Sequence, residues 1–255
     1  MKHGLACATV FLVGAGCSTA PPPAAKKPEP PAYFRVDPQT GSTVSGKVSF
    51  TGPRPRRVAI EIDEDPACAR MNKAGMFDDS VAVQTGGALS NVFIHVTKGL
   101  EGKRFAPPPE GEAVTIDQKR CQFAPRVLGL RVGQTLRVTN SDPVTHNIHP
   151  QARMNREWNQ SQPEGAPALE RKFARPETMI RVKCNVHSWM RAYVGAVEHP
   201  YFAVTGADGS FEIRNLPPGD YTLEAWHEKL GTRELQVHVD PSSTKTVAFS
   251  FPPGV

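Results

Sequence analysis

The sequence predicts an all-β protein made of two β-sandwiches. Short runs of alternating or β-branched residues recur along the chain, separated by Gly, Pro and Asp turns. No segment has the long apolar stripe at helical spacing that would predict a helix. The predicted strands are residues 44–50, 57–62, 91–96, 113–116, 134–140, 178–184 and 192–197.

Length and charge narrow the range of functions. The 255 residues include 30 Lys and Arg and 25 Asp and Glu, a net charge of +5 at pH 7. No sustained basic helix or nucleic-acid-binding motif accompanies this charge, so we expect no nucleic-acid partner. The basic residues are scattered, and a mildly positive surface would favour the approach of an acidic redox partner. They include Arg54, Arg56 and Arg57 in one turn and Arg171, Lys172 and Arg175 further on.

The N-terminus predicts export. Residues 1–17 have a basic start and an apolar, small-residue run that ends at Cys17, which is typical of a signal peptide too short to span a membrane. The last four of these residues, Gly14-Ala-Gly-Cys17, resemble a bacterial lipobox, which implies lipidation of Cys17. Gly14 stands where that motif usually carries Leu, and ordinary cleavage nearby is the alternative. Residues 18–42 would be a Pro-rich tether. We therefore expect a protein of the periplasm or cell envelope, anchored to a membrane through Cys17.

Cysteine usage agrees with export. Of the 5 cysteines, Cys7 and Cys17 belong to the signal segment and Cys184 to a candidate metal-binding motif, which leaves Cys68 and Cys121. In an oxidising compartment such a pair most simply forms a disulfide, and the alternative is two buried free thiols. Closing this loop would contribute about 4 kcal/mol in the chain-entropy model.

A cluster of sulfur and imidazole side chains predicts a copper site. Cys184, His187 and Met190 lie within 7 residues, and His146 would come from a distant strand. One thiolate and two imidazoles suit the trigonal plane of a type 1 copper site, and a weak thioether suits its axial position. Zinc prefers a closed tetrahedron and has little use for a thioether. A hydrolytic Cys–His pair would need a base beside the thiolate in an open cleft.

Strand parity supports the same ligands independently. Alternation along residues 178–184 places Cys184 on the apolar face, at the end of a strand. If the segment around His146 is extended, burying Ile148 aims His146 at the metal and leaves His149 outside. His146 is therefore the expected ligand, and His149 is the alternative.

Two stretches around these ligands are specific enough to show a resemblance to a family. They are Cys184-x-x-His187-x-x-Met190-Arg191 and Asn140-Ser-Asp-Pro-Val-Thr-His146-Asn147-Ile148-His149. The first resembles the ligand loop of amicyanin, and the second the first-ligand segment of amicyanin and plastocyanin, both cupredoxins. The resemblance covers residues 81–200, with a Pro-rich insertion around 158–176, and implies a Greek-key β-sandwich with one type 1 copper ion. The implied equatorial ligands are His146, Cys184 and His187, with Met190 axial, and Asn147 would hydrogen-bond across to the ligand loop.

The last part of the chain contains strand–turn–strand patterns. They are Thr205-Gly-Ala-Asp208-Gly209-Ser210-Phe211-Glu-Ile213 and Asn215-Leu216-Pro217-Pro218-Gly219-Asp220-Tyr221-Thr-Leu223. These resemble the carboxypeptidase regulatory-like domain, a small transthyretin-like or Ig-like β-sandwich. Such a sandwich normally opens with a strand that residues 201–255 lack and residues 43–63 carry. We therefore expect 43–63 and 201–255 to form one sandwich, split by a copper domain at 64–200 with its core at 81–200. Two sandwiches in series are the alternative.

Two functions follow from these features. The first is a membrane-tethered electron carrier that cycles copper between Cu(I) and Cu(II) and meets a redox partner protein. In that function Trp189 would belong to a hydrophobic docking patch around an exposed edge of His187, and core packing is the alternative. The second is a copper-binding or surface-adhesion module whose metal is structural or absent. Copper oxidases and nitrite reductases need a further catalytic copper held by several His, and the sequence has no such cluster, so we expect no enzymatic activity.

The remaining histidines are less informative. The side chain of His95 would point to the opposite face of its strand from Ile94, so His95 is expected at the surface. His199 and His227 are expected to be hydrogen-bonded packing residues. A second metal site built on these two would still lack a third ligand.

Overall fold

The computed structural model describes Met1 and residues 32–253 and confirms the all-β class. Apart from Met1, the predicted signal peptide lies outside the described residues, as do Cys17 and residues 18–31 of the tether. No helix among the described residues is long and apolar enough to cross a membrane.

The described chain contains a series of short strands and one short α-helix. The strands are β1 (Ser42–Phe50), β2 (Ala59–Ile60), β3 (Met76–Phe77), β4 (Phe93–Lys98), β5 (Ala113–Gln118), β6 (Phe123–Ala124), β7 (Val127–Arg131), β8 (Thr135–Asn140), β9 (His146–Pro150), β10 (Gln160–Gln162), β11 (Leu169–Lys172), β12 (Glu177–Lys183), β13 (Arg191–Val197), β14 (Phe202–Val204), β15 (Ser210–Leu216), β16 (Gly219–His227), β17 (Gly231–Val239) and β18 (Thr244–Phe251). The helix is α1 (Pro66–Met71), and Thr85–Gly87 form a 3₁₀ turn. Each predicted strand corresponds to one of these, except residues 57–62.

Two sheets in the middle of the chain carry the candidate ligands. One has the order β10-β9-β12-β13-β7 and the other β11-β8-β5-β6. Alternation sets which side chains face inward, since Ile180 and Val182 are buried and Arg181 between them is exposed. The Pro-rich insertion adds β10 to the first sheet and β11 to the second. We call this pair of sheets the ligand sandwich.

Two further sheets form a second sandwich, which we call the C-terminal sandwich. Their orders are β15-β1-β18 and β14-β4-β16-β17. β1 runs antiparallel to β15 and parallel to β18, so a strand that precedes the ligand sandwich completes a sheet formed after it. Val44, Val48, Ile213 and Phe249 are all buried in the shared core.

The strand around residue 94 lies in a different sandwich from the one the sequence suggested. The resemblance placed residues 91–96 in the copper domain, but β4 pairs with β14 and β16. Ile94 and Val96 accordingly pack in the core of the C-terminal sandwich. The alternation of residues predicts that a strand forms, but it does not determine which strand pairs with it. That pairing is set by the tertiary structure.

Residues 57–62 do not form the predicted strand of the C-terminal sandwich. Only Ala59–Ile60 is paired, and its partner is Met76–Phe77. The run ends because Asp65 caps α1, accepting the N–H groups of Ala67 and Cys68, with Pro66 at the start of the helix. Residues 59–77 thus form a separate excursion, which we call the cap segment.

A disulfide fastens the cap segment to the ligand sandwich. Cys68 of α1 is bonded to Cys121, which precedes β6, and both residues are fully buried. A six-residue helix is too short to be stable alone, so this crosslink and the burial of Cys68 hold α1 in place.

The two sandwiches approach closely where β7 and β13 carry glycines. A Cβ on Gly129 would lie 2.5 Å from the ring of Phe202, and one on Gly195 would lie 2.7 Å from the ring of Phe93. Side chains at these positions would therefore push the sheets apart. Nearby, the Arg126 guanidinium donates two hydrogen bonds to Glu228 of the C-terminal sandwich.

We predict that replacing both Cys68 and Cys121 by Ser lowers the free energy of unfolding by about 4 kcal/mol, because the denatured chain regains the entropy of an open loop. The sequence separation of 53 residues sets this magnitude. Urea unfolding of the metal-free protein measures it. Wild-type protein unfolded in a reducing buffer should lose the same amount, and equal stabilities with and without the crosslink would contradict the prediction.

Candidate metal centre

Three predicted ligands converge at one end of the ligand sandwich. His146 begins β9, Cys184 directly follows β12, and His187 lies in the loop before β13. The two Nδ1 atoms are 2.9 Å apart, and Cys184 Sγ is 3.8 Å from His187 Nδ1. All three side chains are buried, and their donor atoms lie within 4.8 Å of one another.

The ligand loop is closed by its own hydrogen bonds. The N–H of Cys184 donates to the carbonyl of Met190 at 3.2 Å, and the N–H of Met190 donates to the carbonyl of His187 at 3.0 Å. The N–H of His187 also points at Cys184 Sγ, 3.4 Å away. Met190 is buried in the same core cluster as Cys184. The spacing of the motif therefore produces a compact loop with both sulfur-bearing side chains inside.

Asn147 joins the two ligand-bearing segments. Its Oδ1 accepts the N–H of Asn185 in the ligand loop, and its Nδ2 donates to Asn159 Oδ1. The neighbouring His149 lies outside the cluster, 2.5 Å from Glu157 through Nε2. Alternation along β9 thus separates His146 from His149, with Ile148 buried between them.

Each candidate histidine ligand also contacts a carboxylate that the sequence reasoning missed. His146 Nε2 lies 2.8 Å from Asp142 Oδ2, and His187 Nε2 lies 2.9 Å from Asp65 Oδ2. Asp142 is fixed in turn by the N–H groups of Arg120 and Cys121. Its place four residues before His146 was a local signal that could have identified it. No local signal links Asp65 to a residue 122 positions away.

These contacts fix which ring nitrogens carry protons. An Nε2 atom that donates to a carboxylate is protonated. In a neutral imidazole the Nδ1 atom of the same ring then presents a lone pair. The hydrogen bond from His187, followed by the N–H of Cys68, holds the pKa of Asp65 below its ordinary value, so Asp65 is an ionised acceptor. When both rings are neutral, two imidazole lone pairs therefore face each other at 2.9 Å beside Cys184. Only a shared proton or a cation satisfies such a pair, so this donor set suits a metal ion.

The thiol of Cys184 is poised to act as an anionic ligand. Burial opposes its ionisation, but hydrogen bonds from the protonated forms of His146 and His187 and from the N–H of Asn147 outweigh that effect and lower its pKa to about 5. The pKa of His187 is raised, first by Cys184 and then by Asp65. Once a metal ion displaces the protons on the two Nδ1 atoms, one thiolate and two neutral imidazoles form a soft, nitrogen-rich set that suits copper.

The edge of His187 is covered, in contrast to the exposed edge expected from the sequence. His187 is only 2% exposed. Asp65 contacts its Nε2, and Cys68 Sγ lies 3.6 Å from the same atom. Trp189 lies beside the ring at an interplanar angle of 51°, with centroids 5.1 Å apart, and donates its indole N–H to the carbonyl of Cys121. The expectation failed because the disulfide brings the cap segment over the loop, a contact with no local pattern.

The other histidines have structural partners. His95, expected at the surface, is 7% exposed and lies 3.3 Å from Glu224, because β4 is covered on both faces. His199 Nε2 lies 2.9 Å from the carbonyl of Val96, and His227 Nδ1 accepts the N–H groups of Lys229 and Leu230. Neither His199 nor His227 belongs to a convergent group of donors in the described part of the chain.

One known protein family matches the last part of the chain. The model of the carboxypeptidase regulatory-like domain matches residues 191–252. No match was found among characterised protein sequences.

Solved copper proteins are similar over 32% to 40% of the chain. A reduced amicyanin variant is 24% identical, covering 35% of this chain and 85% of its own, with a TM-score of 0.30. A purple cupredoxin from Nitrosopumilus maritimus is 22% identical, covering 32% and 97%, with a TM-score of 0.28. A copper-containing nitrite reductase from Thermus scotoductus SA-01 is 18% identical, covering 40% of this chain but only 25% of its own, with a TM-score of 0.32.

The chain is thus similar in part to solved cupredoxins. It also contains a segment that matches the carboxypeptidase regulatory-like domain.

Proposed function

We propose that the protein is an exported, membrane-tethered electron carrier with one type 1 copper ion held by His146, Cys184, His187 and Met190. The observation that supports this most directly is the convergence of two imidazole Nδ1 atoms and one buried sulfur, with donor atoms within 4.8 Å of one another. Bound copper would supply a one-electron change between Cu(I) and Cu(II).

The surrounding residues would keep the ligands still during that change. Asp142 and Asp65 hold the two rings through Nε2, and Asn147 ties the strand of His146 to the ligand loop. Ligands fixed in this way need little movement between oxidation states, which favours fast electron exchange. Met190, buried in the same core cluster as Cys184, would hold the copper weakly through its thioether.

Trp189 is the proposed point of electron exchange. It is half-buried, lies against His187 and, with Phe77 and Arg126, lines a cavity of about 230 Å³. Because His187 itself is covered, the indole is the ring that reaches from the ligand loop towards a redox partner. Aromatic side chains of this kind are frequent anchors in protein interfaces.

We predict that the Cu(II) protein has an intense visible charge-transfer band that bleaches with ascorbate, and that Cys184→Ser abolishes it. A hydroxyl cannot replace the thiolate as a charge-transfer donor. Optical spectra of both proteins, each loaded with Cu(II), make this test. A colourless wild-type protein at full copper occupancy would refute the proposed function and favour the alternative, a copper-binding or adhesion module with a structural or absent metal.

A second expectation separates the neighbouring imidazoles of β9. His146→Ala should destroy or severely distort the copper spectrum, because His146 is fully buried with Nδ1 at the site. His149→Ala is the matched control and should leave the spectrum nearly unchanged, since His149 pairs with Glu157 outside the cluster. The opposite ranking would identify His149 as the ligand.

Met190→Leu should keep the copper and its colour but raise the reduction potential. Removing the weak thioether takes electron density from Cu(II) more than from Cu(I), which favours the reduced state. Leu is similar in volume, so the core should tolerate it. Redox titration of the coloured band measures the change, and an unaltered potential would show that Met190 is a packing residue.

A further inference from the structure

We propose that Asp65 is a positioning residue that clamps His187 through its outer nitrogen and lowers the reduction potential of bound copper. This inference rests on the proposed copper function. Its geometric basis is the 2.9 Å contact between Asp65 Oδ2 and His187 Nε2, made by a residue from the cap segment.

The two carboxylate oxygens of Asp65 have separate roles. Oδ1 accepts the N–H groups of Ala67 and Cys68, each at 2.9 Å, and so caps α1. Oδ2 is left to face His187. The cap fixes the side-chain torsions of Asp65, and the disulfide at Cys68 fixes the helix. The carboxylate is therefore held in place before any metal binds.

A carboxylate in this position acts on the metal through the ring. By accepting the Nε2 proton it fixes the tautomer, keeps the Nδ1 lone pair directed at the site and makes that nitrogen a stronger donor. Its negative charge also stabilises the more highly charged Cu(II) ion relative to Cu(I). Both effects lower the reduction potential. The side chain of Asp65 is 28% exposed, so solvent screens part of the charge effect but not the hydrogen bond.

The same contact restricts the motion of His187. The ring cannot turn away from the site without breaking the bond to Asp65, and Cys68 Sγ lies 3.6 Å from the same nitrogen. Asp65 and the disulfide thereby close the side of the ring that faces away from Cys184. We infer that the cap segment retains copper as well as tuning it.

Asp65→Asn tests the charge with the helix cap preserved, because Asn caps helices about as well as Asp. The variant should keep the visible band, show a higher reduction potential and release copper to a chelator faster. Glu64→Gln is the matched control, since it removes one negative charge from an exposed neighbouring position. Asp65→Ser, which also caps a helix but is too short to reach His187, should shift both quantities in the same direction. A shift in Asp65→Asn no larger than in Glu64→Gln would overturn the proposal.

A second measurement uses the metal-free protein. The Nε2 proton of His187 should give a slowly exchanging imidazole resonance in the wild type and in Glu64→Gln, and should lose its protection in Asp65→Asn and Asp65→Ser. Fast exchange in the wild type would show that Asp65 does not hold the ring. A colourless copper-loaded wild type would refute the proposed function and this inference together, whereas a coloured protein with no specific shift would refute only the role of Asp65.

Discussion

The arrangement at the metal centre depends on forcing two imidazole lone pairs together beside a buried sulfur. The Nδ1 atoms of His146 and His187 are 2.9 Å apart, a contact that is unfavourable unless a proton or cation lies between them. Two carboxylates on the opposite sides of the rings keep this arrangement from relaxing, and Asn147 keeps the two segments aligned. The donor atoms are thus held together by hydrogen bonds within the protein itself.

The ligand sandwich supplies rigid supports for this arrangement. β9 and β12 are neighbours in one sheet, so His146 and Cys184 are placed by paired backbones, and the loop to β13 returns His187 beside them. The cap segment completes the site from outside, because the disulfide and the contacts of Asp65 and Cys68 with His187 attach it beside that ring. The position of His187 is therefore linked mechanically to an excursion that precedes the ligand sandwich.

The C-terminal sandwich is packed against the ligand sandwich more closely than two domains joined by a flexible linker would be. β1 crosses from the start of the described chain to pair with β15 and β18, and β4 pairs with β16. Gly129 and Gly195 let the rings of Phe202 and Phe93 approach the sheet of the ligand sandwich. The segment matched by the carboxypeptidase regulatory-like model even includes β13, a strand of that sheet. The two sandwiches consequently share a packed boundary.

The sequence by itself determined the all-β class and the alternation of most strands. It also predicted that His146, Cys184 and His187 converge. Periodicity and ligand spacing are local properties, so the sequence carries this information. Tertiary structure alone decided that β4 belongs with β16, that residues 57–62 leave the sheet, and that His187 is covered. It also decided the contact between Asp65 and His187, which are 122 positions apart in the sequence. Each of these depends on which distant segment packs beside which, and neither alternation nor motif spacing carries that information.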